Sequence, residues 1–195
     1  MRLQGRSAEI VELVLENTAE EFGRSGYAGL RVDEIAARSG VNKTTIYRRW
    51  PTKDDLVLAA LHWISPYKHP PNTGSMREDL LAMLRGMAEA ASTPKGLAIY
   101  RAIQIERAQP AFEPLLARLK VELLASRQAI FDRAMERGEL PSWTDGALVG
   151  EVCFAAAFLR IVTVGQKLDE SFMQALVDLI IAGAKNVTPR PKDGA

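Results

Sequence analysis

Residues 32–53, VDEIAARSGVNKTTIYRRWPTK, decide the fold. The apolar positions are spaced for two short helices joined by a tight turn, a helix-turn-helix. Ile35 and Ala36 face inward from the first helix, and Ala36 is small enough for two helices to cross closely. Gly40 stands where the chain must leave that helix with φ > 0, a conformation that strains a residue carrying a Cβ. Val41 and Ile46 fill the wedge between the helices, and Asn42 is a good N-cap for the second. That second helix carries Lys43, Thr44, Thr45, Tyr47, Arg48 and Arg49, groups that hydrogen-bond phosphates and base edges. A motif built this way lays its second helix in the major groove of double-stranded DNA.

Charge supports this locally. The 195-residue chain has a formal net charge of only +1. Residues 38–53, however, hold Arg38, Lys43, Arg48, Arg49 and Lys53 and no acid. A local basic patch is the footprint of phosphate contact. A generic helical hairpin with a solvated basic face would share the turn and the charge. The joint fit of Ile35, Ala36, Gly40, Val41 and Ile46 favours the DNA-reading motif. Arg48 either reads a guanine bidentately or holds a phosphate. Tyr47 offers its ring to the core and its hydroxyl to a phosphate.

Composition excludes several classes. An apolar fraction of 47% is ample for a core, in one large domain or two small ones. Cys153 is the lone cysteine, so no intramolecular disulfide forms. It lies between Val152 and Phe154 on an apolar helix and reads as inert core, since a sensor thiol needs exposure and nearby positive charge. His62 and His69, without a Cys/His cluster, make no metal site. No combination of nucleophile, base and orienting group stands out. No catalytic residue, metal or cofactor is therefore expected. Glu9, Glu12 and Glu16 interrupt the N-terminal apolar pattern, so no signal peptide is expected. The apolar stretch 152–165 carries Arg160 and reads as too short to span a bilayer. A soluble, cytoplasmic protein with no membrane partner is the expectation.

The rest of the chain reads as helix. Ser7 caps a first helix whose inner face is Ile10, Val11, Val14, Leu15, Thr18, Ala19 and Phe22, ending near residues 23–26. Pro51 stops the second helix of the motif, and Thr52 caps a fourth over residues 53–65. Residues 66–74, with three prolines and a glycine, form a linker. Helices then follow over 75–91, 94–108, 111–137, 144–165 and 169–186. The last two leave little polar face, and a helix apolar on most sides must be buried on most sides. Val152, Phe154, Phe158, Leu159, Phe172, Leu176, Leu179 and Ile180 are candidate dimer-interface residues. The centre of a monomeric bundle would bury them as well, but a chain this small favours a second subunit.

The chain resembles the TetR-type (tetracycline-repressor-like) transcriptional regulators. Phe22, Gly26, Tyr27, Ile35, Ala36, Gly40, Val41, Lys43, Ile46, Tyr47, Arg48, Trp50 and Lys53 carry the likeness over the first third of the chain. RGEL at 137–140, FLRIVTVG at 158–165 and LDESF at 168–172 resemble the C-terminal part of one subgroup. The resemblance implies an all-α protein. An N-terminal three-helix DNA-binding domain (1–52) would precede a C-terminal helical ligand-binding and dimerisation bundle (53–187) and a flexible tail (188–195). It implies a homodimer on a palindromic operator, most often a repressor released by a small-molecule effector. Control by a protein partner without a ligand, or an enzyme on a helical scaffold, are the alternatives.

Residue by residue, Lys43, Thr44 and Arg48 resemble the family's base-facing positions, while Thr45, Tyr47, Arg49 and Lys53 resemble its phosphate-holding ones. The chain departs from the pattern elsewhere. Leu30 and Arg31 stand where Thr or Ser usually caps the second helix, a loss on the order of 1 kcal/mol. Arg31 is then a candidate phosphate contact. Asn17, Thr18 and Glu21 replace residues that are usually apolar. Trp63, Met83, Met87, Tyr100, Gln104, Phe131, Phe158 and Arg160 are candidate pocket residues, although Met and aromatic stripes also suit ordinary core. Gln104 and Arg160 need polar partners. Arg160 serves either a ligand carboxylate or a salt bridge in the dimer bundle.

Overall fold

A computed structural model describes residues 3–65 and 70–186 of the chain. The expected tail 188–195, His69 and part of the expected linker lie outside the described residues. Among the described residues the chain is helical and without strands. The helices are α1 (Leu3–Gly29), α2 (Val32–Arg38), α3 (Lys43–Arg49), α4 (Lys53–Ile64), α5 (Met76–Ser92), α6 (Pro94–Glu106), α7 (Glu113–Glu136), α8 (Gly146–Phe158) and α9 (Glu170–Asn186). A 3₁₀ turn, Pro110–Phe112, precedes α7, and a π-helical segment, Leu159–Val164, extends α8.

Two compact units divide the chain. The first comprises the described parts of Met1–Lys68 and Ala90–Leu119. Val14, Leu15, Ala19 and Phe22 of α1 are buried there with Ile35, Ala36 and Ile46 of the motif. So are Leu56, Val57, Leu58, Ala60 and Leu61 of α4 and Ile99 and Ala102 of α6. Phe22 stacks on Phe112, with ring centroids 5.9 Å apart, and Tyr27 packs on the same ring at 5.4 Å. Lys95 Nζ of α6 reaches Glu16 at 3.0 Å and Glu20 at 3.4 Å on α1.

This division does not fall at the expected boundary after residue 52. Helices α2 and α3 have seven residues each, too few to cover the apolar face of α1. That face is completed by α4 and α6, which therefore belong with the motif.

The unusual polar residues of α1 each find a partner. Asn17 Nδ2 donates to Ser39 Oγ at 3.0 Å, and Thr18 Oγ1 donates to the Val14 carbonyl at 2.7 Å. The Glu21 carboxylate accepts from Arg24 at 2.6 Å and from Ser25 at 3.0 Å. A buried polar group so paired escapes most of its desolvation cost.

The second unit comprises the described parts of His69–Glu89 and Lys120–Ala195. Its polar anchors lie at the start of α5. The Met76 amide donates to Glu139 at 2.7 Å, and buried Asp79 accepts from both the amide and the hydroxyl of Thr73 at 2.7 Å. Arg77 pairs with Asp178 at 3.0 Å and Arg85 pairs with Glu170, tying α5 to α9. Helix α8 runs close to α7: a Cβ at Gly146 would lie 2.6 Å from the Phe131 Cβ.

The apolar run of α8 is longer than the sequence reading took it to be. Gly146–Val164, 19 residues, is by length and composition apolar enough to cross a membrane. One such helix is weak grounds for a membrane span, because core helices pass the same test. Of the candidate interface residues, Phe154, Leu176 and Ile180 are buried within the chain itself. Helix α8 is apolar except for the exposed Glu151, and its inner side packs against its own unit. Val152, Leu159 and Leu179 are exposed, whereas Phe158 and Phe172 are half-buried.

Candidate nucleic-acid interface

Helix α3 is presented by its caps and by one buried anchor. Gly40 takes φ 64°, as the turn requires. Asn42 Oδ1 accepts from the Thr44 amide and from the Thr44 hydroxyl, both at 3.0 Å, closing the first turn. Ile46 is buried, while Asn42, Lys43, Thr44, Thr45, Tyr47, Arg48 and Arg49 are all exposed. The candidate DNA-contacting residues of α3 are thus all exposed, and only Ile46 turns inward. Trp50 ends the helix, and Thr52 starts α4 with a full capping box against Asp55.

Lys53 sits beside this face, half-buried, with Nζ 4.5 Å from the centroid of the Tyr27 ring. Burial lowers its pKa from the ordinary value, opposed by Glu106 and Asp54. Tyr27 in turn donates to Asp54. Burial and then that carboxylate push its phenol up to about 12. Arg31 precedes α2 without making a side-chain cap, and its guanidinium lies 3.6 Å from Glu34.

The acids around the motif are the residues that sequence reasoning missed. Residues 38–53 contain none, but folding brings three to them. Arg38 pairs with Glu20 and lies 3.6 Å from Glu21, and Lys43 lies 2.8 Å from Asp33. Burial would raise the Glu21 carboxyl; Arg24, Ser25 and Arg38 together hold it below its ordinary value. Among the described residues, no carboxylate lies within 4.0 Å of Arg48 or Arg49. Arg49 instead lies 5.8 Å over the Trp50 ring. Among the described residues, the cations of this window without a carboxylate within 4.0 Å are therefore Arg48 and Arg49 on the last turn of α3 and Lys53 beside it. Spacing between Asp33 and Lys43 held a faint signal of the pairing, but only the crossing of α2 and α3 makes it.

Residues 14–60 match the family described as bacterial regulatory proteins, tetR family, and residues 70–180 match the tetracyclin repressor-like C-terminal domain. The chain belongs to the TetR family of transcriptional regulators. It is 33% identical over 185 residues to the DNA-binding transcriptional repressor TetR of Mycobacteroides abscessus, covering 92% of this chain and 94% of that protein. The crystal structure of the TetR-family regulator SCO0332 superposes with a TM-score of 0.70 at 28% identity, covering 93% of this chain and all of that one. FadR of Bacillus subtilis, solved in complex with stearoyl-CoA, shares the fold with a TM-score of 0.64 at 15% identity, covering 89% and 97%. As a TetR-family member the protein is a DNA-binding regulator of transcription, not an enzyme.

The candidate pocket residues fall in both units. Trp63, Tyr100 and Gln104 belong to the first unit; Met83, Met87, Phe131, Phe158 and Arg160 belong to the second. Gln104 is exposed and accepts from Arg107 at 3.2 Å, so its polar group is satisfied at the surface. Met83, Met87 and Phe131 are buried core.

Arg160 is held within its own chain. Its Nε donates to the Lys167 carbonyl at 2.9 Å, Asp169 lies 3.5 Å away, and the Phe172 ring lies 4.1 Å beneath it. It joins the π-helical segment to the start of α9. A cavity of about 290 Å³ in the second unit is lined by other residues: Leu124, Ala125, Arg127, Gln128, Gly146, Ala147 and Gly150. Cys153 is buried, and burial pushes its thiol up to about 12, so little reactive thiolate forms at neutral pH.

Proposed function

We propose that two copies of the protein pair through α8 and α9, repress transcription from a palindromic operator and leave it when a small molecule binds. The dimer reading rests on an outward apolar stripe. Leu148 and Val152 on α8 and Leu159 at the start of the π-helical segment are each just over half exposed, and Leu179 on α9 is 70% exposed. Leu148, Val152, Ala155 and Leu159 recur at helical spacing along one side. Fully burying a Val or Leu side chain gains roughly 1.5–3 kcal/mol, and covering the exposed half of one gains about half of that. A lipid-facing helix would need the apolar surface all round, whereas the other side of α8 packs on Phe131. A second copy covers a one-sided stripe better.

Pairing would set two α3 helices in successive major grooves, about 34 Å apart. Lys43, Thr44 and Arg48 would then face bases, with Asn42, Thr45, Tyr47, Arg49, Lys53 and Arg31 on or near the phosphates. Repression over activation is supported by the relative named a repressor. The cavity beside Arg127 supports a small-molecule effector, and FadR shows that one protein of this fold takes stearoyl-CoA. A regulator with a DNA partner of this kind works in the cytoplasm. Operator and effector must weaken each other's binding by the same factor. The tight burial of Met83, Met87 and Phe131 favours one competing reading, control by a protein partner without a ligand.

Selection of bound sequences from a random DNA pool by the purified chain tests the proposal. A recovered palindrome, with half-sites about one helical turn apart, is the expected result. Enrichment of a single half-site, or of nothing, would overturn the dimeric operator reading. Screening small molecules for release from that palindrome then decides between effector and protein partner.

A further inference from the structure

We propose that Asp33 is a positioning residue for Lys43, and that it sets the ratio of operator binding to random-DNA binding. The inference rests on α3 being the DNA-reading helix. Lys43 occupies the first position of α3, and its ammonium lies 2.8 Å from Asp33 Oδ1 and 3.0 Å from Oδ2. The same nitrogen stands 5.8 Å over the Tyr47 ring. A lysine is a point charge on a flexible stem and settles on whichever phosphate is near. This one is held from two sides, by a carboxylate of α2 and by a ring one turn along α3. The hydrogen bond to Asp33 also raises the Lys43 pKa from its ordinary value.

The consequence follows from the neighbouring cations. Arg31 and Arg38 also have acids beside them, while Arg48 and Arg49 have none within 4.0 Å among the described residues. Random DNA is held by phosphate charge alone. On random DNA, Lys43 adds to that charge only by leaving Asp33, and the bared carboxylate then repels the backbone. On the operator, Lys43 reaches a base edge from the position where Asp33 holds it. Asp33 thus suppresses the unspecific mode more than the specific one.

The test compares the full chain with Asp33→Asn, an exposed and nearly isosteric change, on the selected operator and on a random duplex across a salt series. The expected result is a gain of about three- to tenfold in random-duplex affinity, with a salt slope steeper by about one unit. Operator affinity should change by less than about twofold, so the ratio falls. In a Lys43→Gln background, Asp33→Asn should raise random binding by a smaller factor, because only the repulsion of the bared carboxylate is then removed. An unaltered ratio overturns the proposal. So does a gain just as large without Lys43, because the acid would then act through the general field alone. If the unmodified chain itself does not discriminate operator from random DNA, the DNA-reading assignment fails and the proposal falls with it.

Discussion

Gly26 and Glu106 occupy one space. The glycine kinks α1 with φ 68° and ψ −177°, and a Cβ there would lie 3.1 Å from the Glu106 Cδ and closer still to Oε1. Glu106 ends α6 and is buried, with Oε2 lacking a hydrogen-bond partner. The kink lets a carboxylate of α6 come against the end of α1, next to Tyr27.

Gly26→Ala should therefore lose on the order of 1–3 kcal/mol for the backbone conformation alone, and more for the collision. Gly40→Ala is the comparison, because its φ of 64° is similar but nothing lies within 4 Å of the added Cβ. Thermal melts should show the larger drop for Gly26→Ala. Equal drops would mean that Glu106 moves aside without cost.

Arg48→Ala should weaken operator binding more than random-DNA binding, by roughly 1–3 kcal/mol of discrimination. Thr45→Ala and Lys53→Ala should weaken both about equally, as phosphate contacts do. Fluorescence anisotropy with both duplexes reads the difference. Equal losses for Arg48→Ala would reassign that side chain to the backbone.

Leu179→Glu should convert the dimer to monomer without unfolding it, because the side chain it replaces is exposed. Leu176→Ala, three residues earlier and buried, should instead cost about 2–5 kcal/mol of fold stability. Sedimentation and chemical denaturation of the two variants separate the effects. A dimer that survives Leu179→Glu would place the interface elsewhere.

Acid should destabilise the protein in part through Glu21. Its folded carboxyl titrates below the ordinary 4.5, held there by Arg24, Ser25 and Arg38 against the effect of burial. A carboxyl lowered in this way stabilises the fold above pH 4.5 and withdraws that contribution as pH falls through the lower folded value. Glu21→Gln should lose roughly 1–3 kcal/mol at pH 7, where the charged hydrogen bonds are gone. Its stability should also fall less steeply below pH 4.5 in urea titrations at several pH values. Parallel pH curves for the two proteins would clear Glu21 of this role.

Local rules carried the motif. Gly40 at the turn, Asn42 and Thr52 as caps and Pro51 after α3 act within a few residues of themselves, so the chain displays them directly. The missing cap at Arg31 was visible for the same reason. The expected pocket was a different matter. Trp63, Gln104 and Met83 each sit on an apolar-patterned helix, but pattern alone does not say which helices meet. Nor does it say whether a polar group such as Arg160 finds its partner nearby, as it does at Lys167 and Asp169.

What the sequence by itself determined is the all-α class, the helix-turn-helix and its exposed basic face, because helix periodicity and capping are short-range. Only the tertiary structure decided where the units divide, which side of α8 stays in water and which cations keep their charge. Those depend on long-range neighbours: α4 and α6 complete the face of α1, Phe131 covers the inner side of α8, and Glu20, Glu21 and Asp33 reach Arg38 and Lys43. Charge acts through space rather than along the chain, so a window without acids became a surface in which, among the described residues, Arg48, Arg49 and Lys53 have no carboxylate within 4.0 Å.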